Sequence, residues 1–176
     1  TEFKKIISGK NIKKTLNLLI SFLPIAVVGL FFGKTIISTL FFPIPVAFAF
    51  IVGGIFLIII EKRYKLDKKK PIIEFTEITI VDAFKVGLIQ VLSLIPGFSR
   101  SGAAIIGGMY FGLSRVLATK FSFFLAVPVI LAAGFYSIFL QHTKINYEDI
   151  PVFIFGMTTS FFSALLVVKW LLKFVS

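Results

Sequence analysis

A chain of 176 residues that is 57% hydrophobic, with 23 Phe and a mean hydropathy of +1.00, has too few polar residues to clothe a soluble domain. The net charge of +11 would point to nucleic acid in a soluble protein. Here the basic residues cluster at the ends of apolar runs, so membrane topology accounts for them and no nucleic-acid partner is expected. The absence of cysteine excludes disulfides and thiolate metal sites.

Residues 1–14 are polar and basic, and the chain opens on Thr1 rather than Met, which reads as a fragment or processed chain. Thr15–Gly33 is a first uncharged run, close to the roughly 20 residues that cross a hydrocarbon core. After Lys34 a second run, Thr35–Ile60, carries Pro43 and Pro45. Its helix is expected from near Ile44, with Thr35–Phe42 as an interfacial connection. Gly29 and Gly33 form a GxxxG pair, and Gly53-Gly54 add small residues suited to close helix packing.

Glu61–Lys70 is the most charged segment. Beyond it, Glu74 and Glu77 read as parts of a solvated loop and helix start leading to Asp82 rather than as a catalytic carboxylate pair. Arg100 then stands between two uncharged runs, Val86–Ser99 and Ser101–Ser114. A guanidinium at membrane depth is costly and marks a functional site by default. Helices are expected over Val81–Ile95 and Ser101–Leu113, separated by a Pro-Gly-Phe-Ser-Arg turn. A helix of thirteen residues reaches only about 20 Å, short of the roughly 30 Å core, so the pair reads as a re-entrant hairpin. Gly107, Gly108 and Gly112 would let its second half pack closely.

Phe121–Leu140, carrying Pro128, is a full span. Gln141–Asp149 is a polar loop, and Ile150–Val168 is a last span ending at Lys169, Trp170 and Lys173. With the hairpin re-entrant, fifteen Lys and Arg fall on one side of the membrane and two on the other, which places the basic side in the cytoplasm. The expected fold is all-α: a single polytopic membrane domain over 1–176 with four full transmembrane helices and one re-entrant half-helix hairpin.

The turn itself suggests its ligand. The second half-helix aims free N–H groups at the turn, and Gly97 and Gly102 permit close backbone approach. Arg100 offers a planar fork for two phosphate oxygens, and Ser99 and Ser101 offer hydroxyl donors. Together these describe a phosphate or diphosphate site. The alternative is an Arg100 that caps carbonyls or pairs with a buried carboxylate.

Pro96-Gly-Phe-Ser-Arg-Ser-Gly102, preceded by Gln90 and followed by Gly107-Gly108-Met109, resembles the signature of the undecaprenyl-diphosphate phosphatase (bacitracin-resistance) family. Phe121–Pro128, Asp149-Ile-Pro151 and Val52-Gly-Gly54 agree with it. The resemblance implies a bacterial plasma-membrane enzyme that recycles the cell-wall lipid carrier by dephosphorylating a polyprenyl diphosphate. It implies that Arg100 holds the diphosphate with Ser99 and Ser101 assisting, and that Gln90, Gly97 and Gly102 contribute to substrate binding. The family's acidic ExxxE and Pro-x-Ser-Ser-x-Gly-His motifs, which supply metal ligands, acid–base groups and nucleophile, have no counterpart here. Glu2 therefore receives no role, the chain also stops before the family's last helix, and Ala104 stands where the family commonly has Thr.

No cofactor or metal site is accordingly expected within the chain. A divalent cation, Mg or Ca, is expected to depend on the missing acidic motif. His142 lies in the loop opposite the basic side and reads as solvated rather than as a base. Alone, the chain is expected to be catalytically inert. A transporter or flippase for an anionic lipid, binding at the same turn without hydrolysis, is the competing reading, and a scaffold without a site is the third. A homo-oligomer is left open.

Overall fold

The computed structural model describes residues 12–66, 70–141 and 147–175; Glu2, His142 and Lys144 lie outside them. In chain order the helices are α1 (Ile12–Leu40), α2 (Pro43–Leu66), α3 (Ile80–Gln90), α4 (Arg100–Tyr110), α5 (Arg115–Gln141) and α6 (Ile150–Val175). Short 3-10 turns cover Val91–Leu94 and Tyr147–Asp149. Four helices, α1, α2, α5 and α6, are long and apolar enough to cross a membrane, which makes this an all-α, multi-pass membrane protein. The contacts divide the chain into two compact units, one ending at Val129 and one beginning at Ile130.

In the first unit α1 and α2 form an antiparallel hairpin, joined only by Phe41 and Phe42. The expected interfacial connection over 35–42 is therefore mostly helix. Nothing between Lys34 and Leu40 interrupts the backbone ladder, and Phe41 still donates to the Ile37 carbonyl at 3.0 Å. One lysine does not stop a helix, because its long stem carries the ammonium away from the apolar face. The break comes at Pro43, which opens α2 with its fixed φ.

α3 and α4 are each only 11 residues long. Thr79 starts α3 with a capping box: its side chain accepts from the Asp82 N–H, and Asp82 accepts from the Thr79 N–H at 3.1 Å. The helix expected from Val81 thus starts one residue earlier, at Ile80, and the Asp82 carboxylate is part of its cap. The backbone enters and leaves this hairpin at one level. Ile72 donates to the Gly112 carbonyl at 2.9 Å, and Ser114 donates back to Ile72 at 2.8 Å. The pair is re-entrant, as its length implied. The helical limits are tighter than expected, with Val91–Leu94 tightening to 3-10 geometry and α4 ending at Tyr110.

The two hairpins lie side by side in register. α1 runs parallel to α3: Lys13 donates to Thr76, Asn17 to Ile78 and Ser21 to Ala83, and Gly29 meets Leu94 at the far end. α2 runs parallel to α4: Val46 lies against Gly97, Gly53 against Phe98 and Leu57 against Gly102, and Arg63 reaches Tyr110. At the base, Arg115 pairs with Glu61. The basic segments near residues 13, 63, 70 and 115 thus share one end of this unit, as the charge count required.

Close approach depends on glycine. A Cβ on Gly87 would overlap the Ser21 carbonyl, and Gly108 faces Ala118 with no room for a side chain. Gly112 differs from the packing role expected of it. Nothing lies near it, and it is needed for its φ of +93°, which ends α4. The core joins Leu18, Phe75, Ile78, Val86, Ile106, Leu113, Phe121 and Leu125. Phe75 is set edge-on to Phe124 at 5.4 Å between ring centres.

The second unit holds the end of α5 and all of α6. Within α6, Thr158 and Thr159 return their hydroxyls to the carbonyls four residues back, at 2.8 Å each, which makes them tolerable in an apolar helix. Trp170 stacks on Phe174 near the C-terminal end.

Candidate functional site

The tip of the re-entrant hairpin is built by its own local chemistry. Ile95-Pro-Gly-Phe98 closes with Phe98 donating to the Ile95 carbonyl at 3.0 Å, and Gly97 takes a φ of +96°. Proline second and a left-handed glycine third is the pattern of a type II turn. A side chain at Gly97 would also overlap the Val46 carbonyl, so glycine is required there twice over. Phe98 is placed on the bare face of Gly53 in α2. The sequence match at Val52-Gly-Gly54 thus has a physical reason at its second position, while nothing lies near Gly54.

Ser99 is the N-cap of α4. Its side chain accepts from the Gly102 N–H at 3.1 Å, and its carbonyl accepts from Ala103 at 2.8 Å. This corrects the expected boundary, because Arg100 is the first helical residue rather than the last residue of the turn. The serine hydroxyl can satisfy the N–H only if the helix starts one residue earlier. The Arg100 and Ser101 N–H groups then remain free of helical partners at the positive end of the dipole. The Ser99 hydroxyl keeps its own proton for donation to a ligand.

Arg100 is partly buried, and its Nη1 has no hydrogen-bond partner although it is closed off from solvent. None of the described ion pairs includes it, so the alternative in which it serves a buried carboxylate is not realised among the described residues. Gln90, the last residue of α3, is wholly buried, and neither its Oε1 nor its Nε2 is bonded. Buried polar atoms are nearly always satisfied, so these orphaned atoms call for a ligand or ordered water. The hairpin brings α3 against α4, with Ile89 packed on Gly107. Gln90 and Arg100 thus belong to facing arms of one element.

Three polar residues that the sequence reading passed over bond to the backbone of the hairpin or of the segment leading into it. Asn17 is buried in α1, donates to Ile78 at 2.9 Å, and leaves its Oδ1 without a partner. Ser21, one turn on, is fully buried against Ala83. Ser122 in α5, also buried, donates to the Ser101 carbonyl at 3.4 Å. The four-residue spacing of Asn17 and Ser21 inside an otherwise apolar span was the available signal.

The depth of the tip follows from α1. From Lys13 to Gly29, which meets Leu94, the helix rises about 24 Å, and from Gly29 to Leu40 about 16 Å more. Arg100 therefore sits well inside the span of the long helices. Among the described residues no three carboxylate or imidazole groups converge to hold a metal. The acids at the base of the hairpin are engaged: Glu61 with Arg115, Glu74 with the Thr76 hydroxyl, Asp82 in its cap, and Glu77 with the Ile73 and Glu74 N–H groups at 3.1 Å each. Those two backbone donors, Glu74 first, hold the Glu77 carboxyl below its ordinary range. Glu77 shapes the loop at the hairpin's mouth, in line with its reading as a loop residue.

These features define a multi-pass membrane protein with an arginine, unpaired among the described residues, at the tip of a re-entrant hairpin. Across residues 1–176 the chain matches the family described as bacitracin resistance protein BacA, and it belongs to that family. It is 48% identical over 165 residues to an undecaprenyl-diphosphatase of Herminiimonas arsenicoxydans, covering 93% of this chain and 60% of that protein. With an undecaprenyl-diphosphatase of Nitrosospira multiformis the identity is 52% over 164 residues, covering 92% and 58%. The chain thus spans about 60% of the length of the curated relatives it matches.

Proposed function

We propose that this chain carries the diphosphate-holding part of an undecaprenyl-diphosphate phosphatase of the bacterial plasma membrane, with its basic end in the cytoplasm. The observation that carries the reading is the buried, unpartnered Nη1 of Arg100 at the N-terminus of α4. An arginine kept without a counter-ion at membrane depth is poised for an anion. In this reading the guanidinium grips two oxygens of the diphosphate in its planar fork. The free Arg100 and Ser101 N–H groups and the hydroxyls of Ser99 and Ser101 donate to the remaining oxygens. The Gln90 amide supplies a neutral donor, directly or through one water. Gly97 and Gly102 keep the turn's backbone bare, and the exposed Phe and Ile of the long helices suit an isoprenoid tail.

Cleaving a phosphoric anhydride also needs an attacking group and help for the leaving phosphate. Arg100, the serines and the helix end stabilise charge but generate no nucleophile. A divalent cation, which would neutralise phosphoryl charge, would take its ligands from outside the described residues. The purified chain in lipid nanodiscs is therefore expected to retain a polyprenyl diphosphate in preference to the matching polyprenol, and to release no phosphate from it. Equal retention of diphosphate and alcohol would remove the reading. Phosphate release that Arg100→Ala abolishes would show instead that the catalytic groups are already present in these residues.

A further inference from the structure

A basic cavity lies at the opposite end of the hairpin from Arg100. Where α2 and α4 end, a cavity of about 280 Å³ opens between Arg63 and Tyr64, Lys70, and Tyr110, with Ile60 and Met109 among its walls. Among the described residues no acidic side chain lines it. Arg63 lies over the Tyr110 ring, its guanidinium carbon 4.8 Å from the ring centre. That stacking fixes the plane of the guanidinium and leaves its N–H edge available.

Two helix C-termini would ordinarily make this a poor place for an anion, because their carbonyls carry partial negative charge. At α4 those carbonyls are already occupied. Gly107 accepts from Phe111, Gly108 from Leu113 and Met109 from Gly112, at 2.9 to 3.2 Å, and the Gly112 carbonyl accepts from Ile72. Glu61, the acid of α2 itself, is held by Arg115 and Lys65. Two full cations and two phenolic hydroxyls are left facing the cavity, all of them donors. The site lies at the shared basic end of the unit, while Ile60 and Met109 extend its wall in apolar character.

We propose that this cavity binds a phosphoryl anion, carried by the headgroup of an anionic phospholipid. Arg63 and Lys70 take the phosphate, the tyrosine hydroxyls bond its ester or glycerol oxygens, and the acyl chain leaves along Ile60 and Met109. Basic recesses at helix ends on the cytoplasmic face are suited to such headgroups, each Lys or Arg there contributing about fivefold in affinity. The proposal does not depend on what Arg100 binds.

The test is native mass spectrometry of the full chain released from detergent with phosphatidylglycerol or phosphatidylcholine. Wild type should retain phosphatidylglycerol preferentially. The Arg63→Ala/Lys70→Ala pair should lose that retention about tenfold or more, while Lys14→Ala/Lys120→Ala, an equal loss of charge at the same end, should not. Arg63→Lys, which keeps the charge but not the planar stack, should fall between, and circular dichroism should show every variant equally helical. Displacement by millimolar inorganic phosphate would identify the phosphoryl group alone as the recognised element, whereas resistance to it would show that the lipid body contributes. Equal loss in both double variants, no loss in Arg63→Ala/Lys70→Ala, or equal retention of phosphatidylcholine would each overturn the proposal.

Discussion

The re-entrant hairpin and α6 are composed of similar letters but behave as opposites. α6 is 26 residues long and rich in Phe, Leu, Val and Ile, and none of its most apolar stretch is buried. α4 is 11 residues, less hydrophobic, and buries Ala103, Ala104, Gly107 and Gly108. In water the more apolar helix would form the core. In a bilayer, apolar side chains gain nothing by leaving lipid, so burial goes to residues that let backbones touch or that must bond to protein. In the first unit Ala83, Ala118, Ser21, Asn17, Gln90 and Ser122 are buried alongside the large apolar core around Ile78, Phe121 and Leu125.

The largest test of this contrast is steric. Gly87→Val must push α3 off the Ser21 carbonyl and should cost at least about 3 kcal/mol, measured by thermal unfolding in detergent. Gly156→Ala in α6 meets nothing and should be neutral or stabilising by up to about 1 kcal/mol. Equal effects at the two glycines would break the comparison. A smaller effect of opposite sign is expected at Gln90. Replacing its unbonded buried amide in Gln90→Leu should stabilise the empty protein by about 1–3 kcal/mol while weakening diphosphate retention. A loss of stability would instead make Gln90 a structural residue.

Much of this division was legible in the sequence. Charge-free runs gave the four long helices, and the isolation of Arg100 with Pro96 and Gly97 before it gave the hairpin. Its short arms gave the re-entry. What escaped has physical causes. The extent of α1 through Leu40 escaped because a single lysine was read as an end, although no residue from Lys34 to Leu40 lacks the donor needed to continue. The helix start at Arg100 turned on one side-chain bond from Ser99, which composition does not reveal. Asn17 and Ser122 escaped because their worth lies in a carbonyl far away in the sequence, and hydropathy averages over such partners.

Two further measurements probe the hairpin's mouth rather than its walls. Thr79→Ala removes the cap of α3 and should cost about 1 kcal/mol in the same unfolding assay. The smallest effect is a pH dependence. The folded-state pKa of Glu77 lies below its ordinary value near 4.5. Its contribution is therefore complete above that value and is lost as the pH falls through the folded one. Glu77→Gln should flatten the acid side of the stability profile and leave neutral pH nearly unchanged. An unaltered acid limb would assign that dependence to other carboxylates.

The central claim is that Arg100 is held unpaired for a diphosphate, and its most direct test is equilibrium binding of a polyprenyl diphosphate to the chain in nanodiscs, wild type against Arg100→Ala and Arg100→Lys. Losing a bidentate, partly buried charge pair is worth about 2–4 kcal/mol, so Arg100→Ala should bind about 30- to 1,000-fold more weakly. Arg100→Lys should recover only part of this, because a point charge does not match two oxygens. Affinity unchanged in Arg100→Ala would contradict the account and leave the arginine without a ligand.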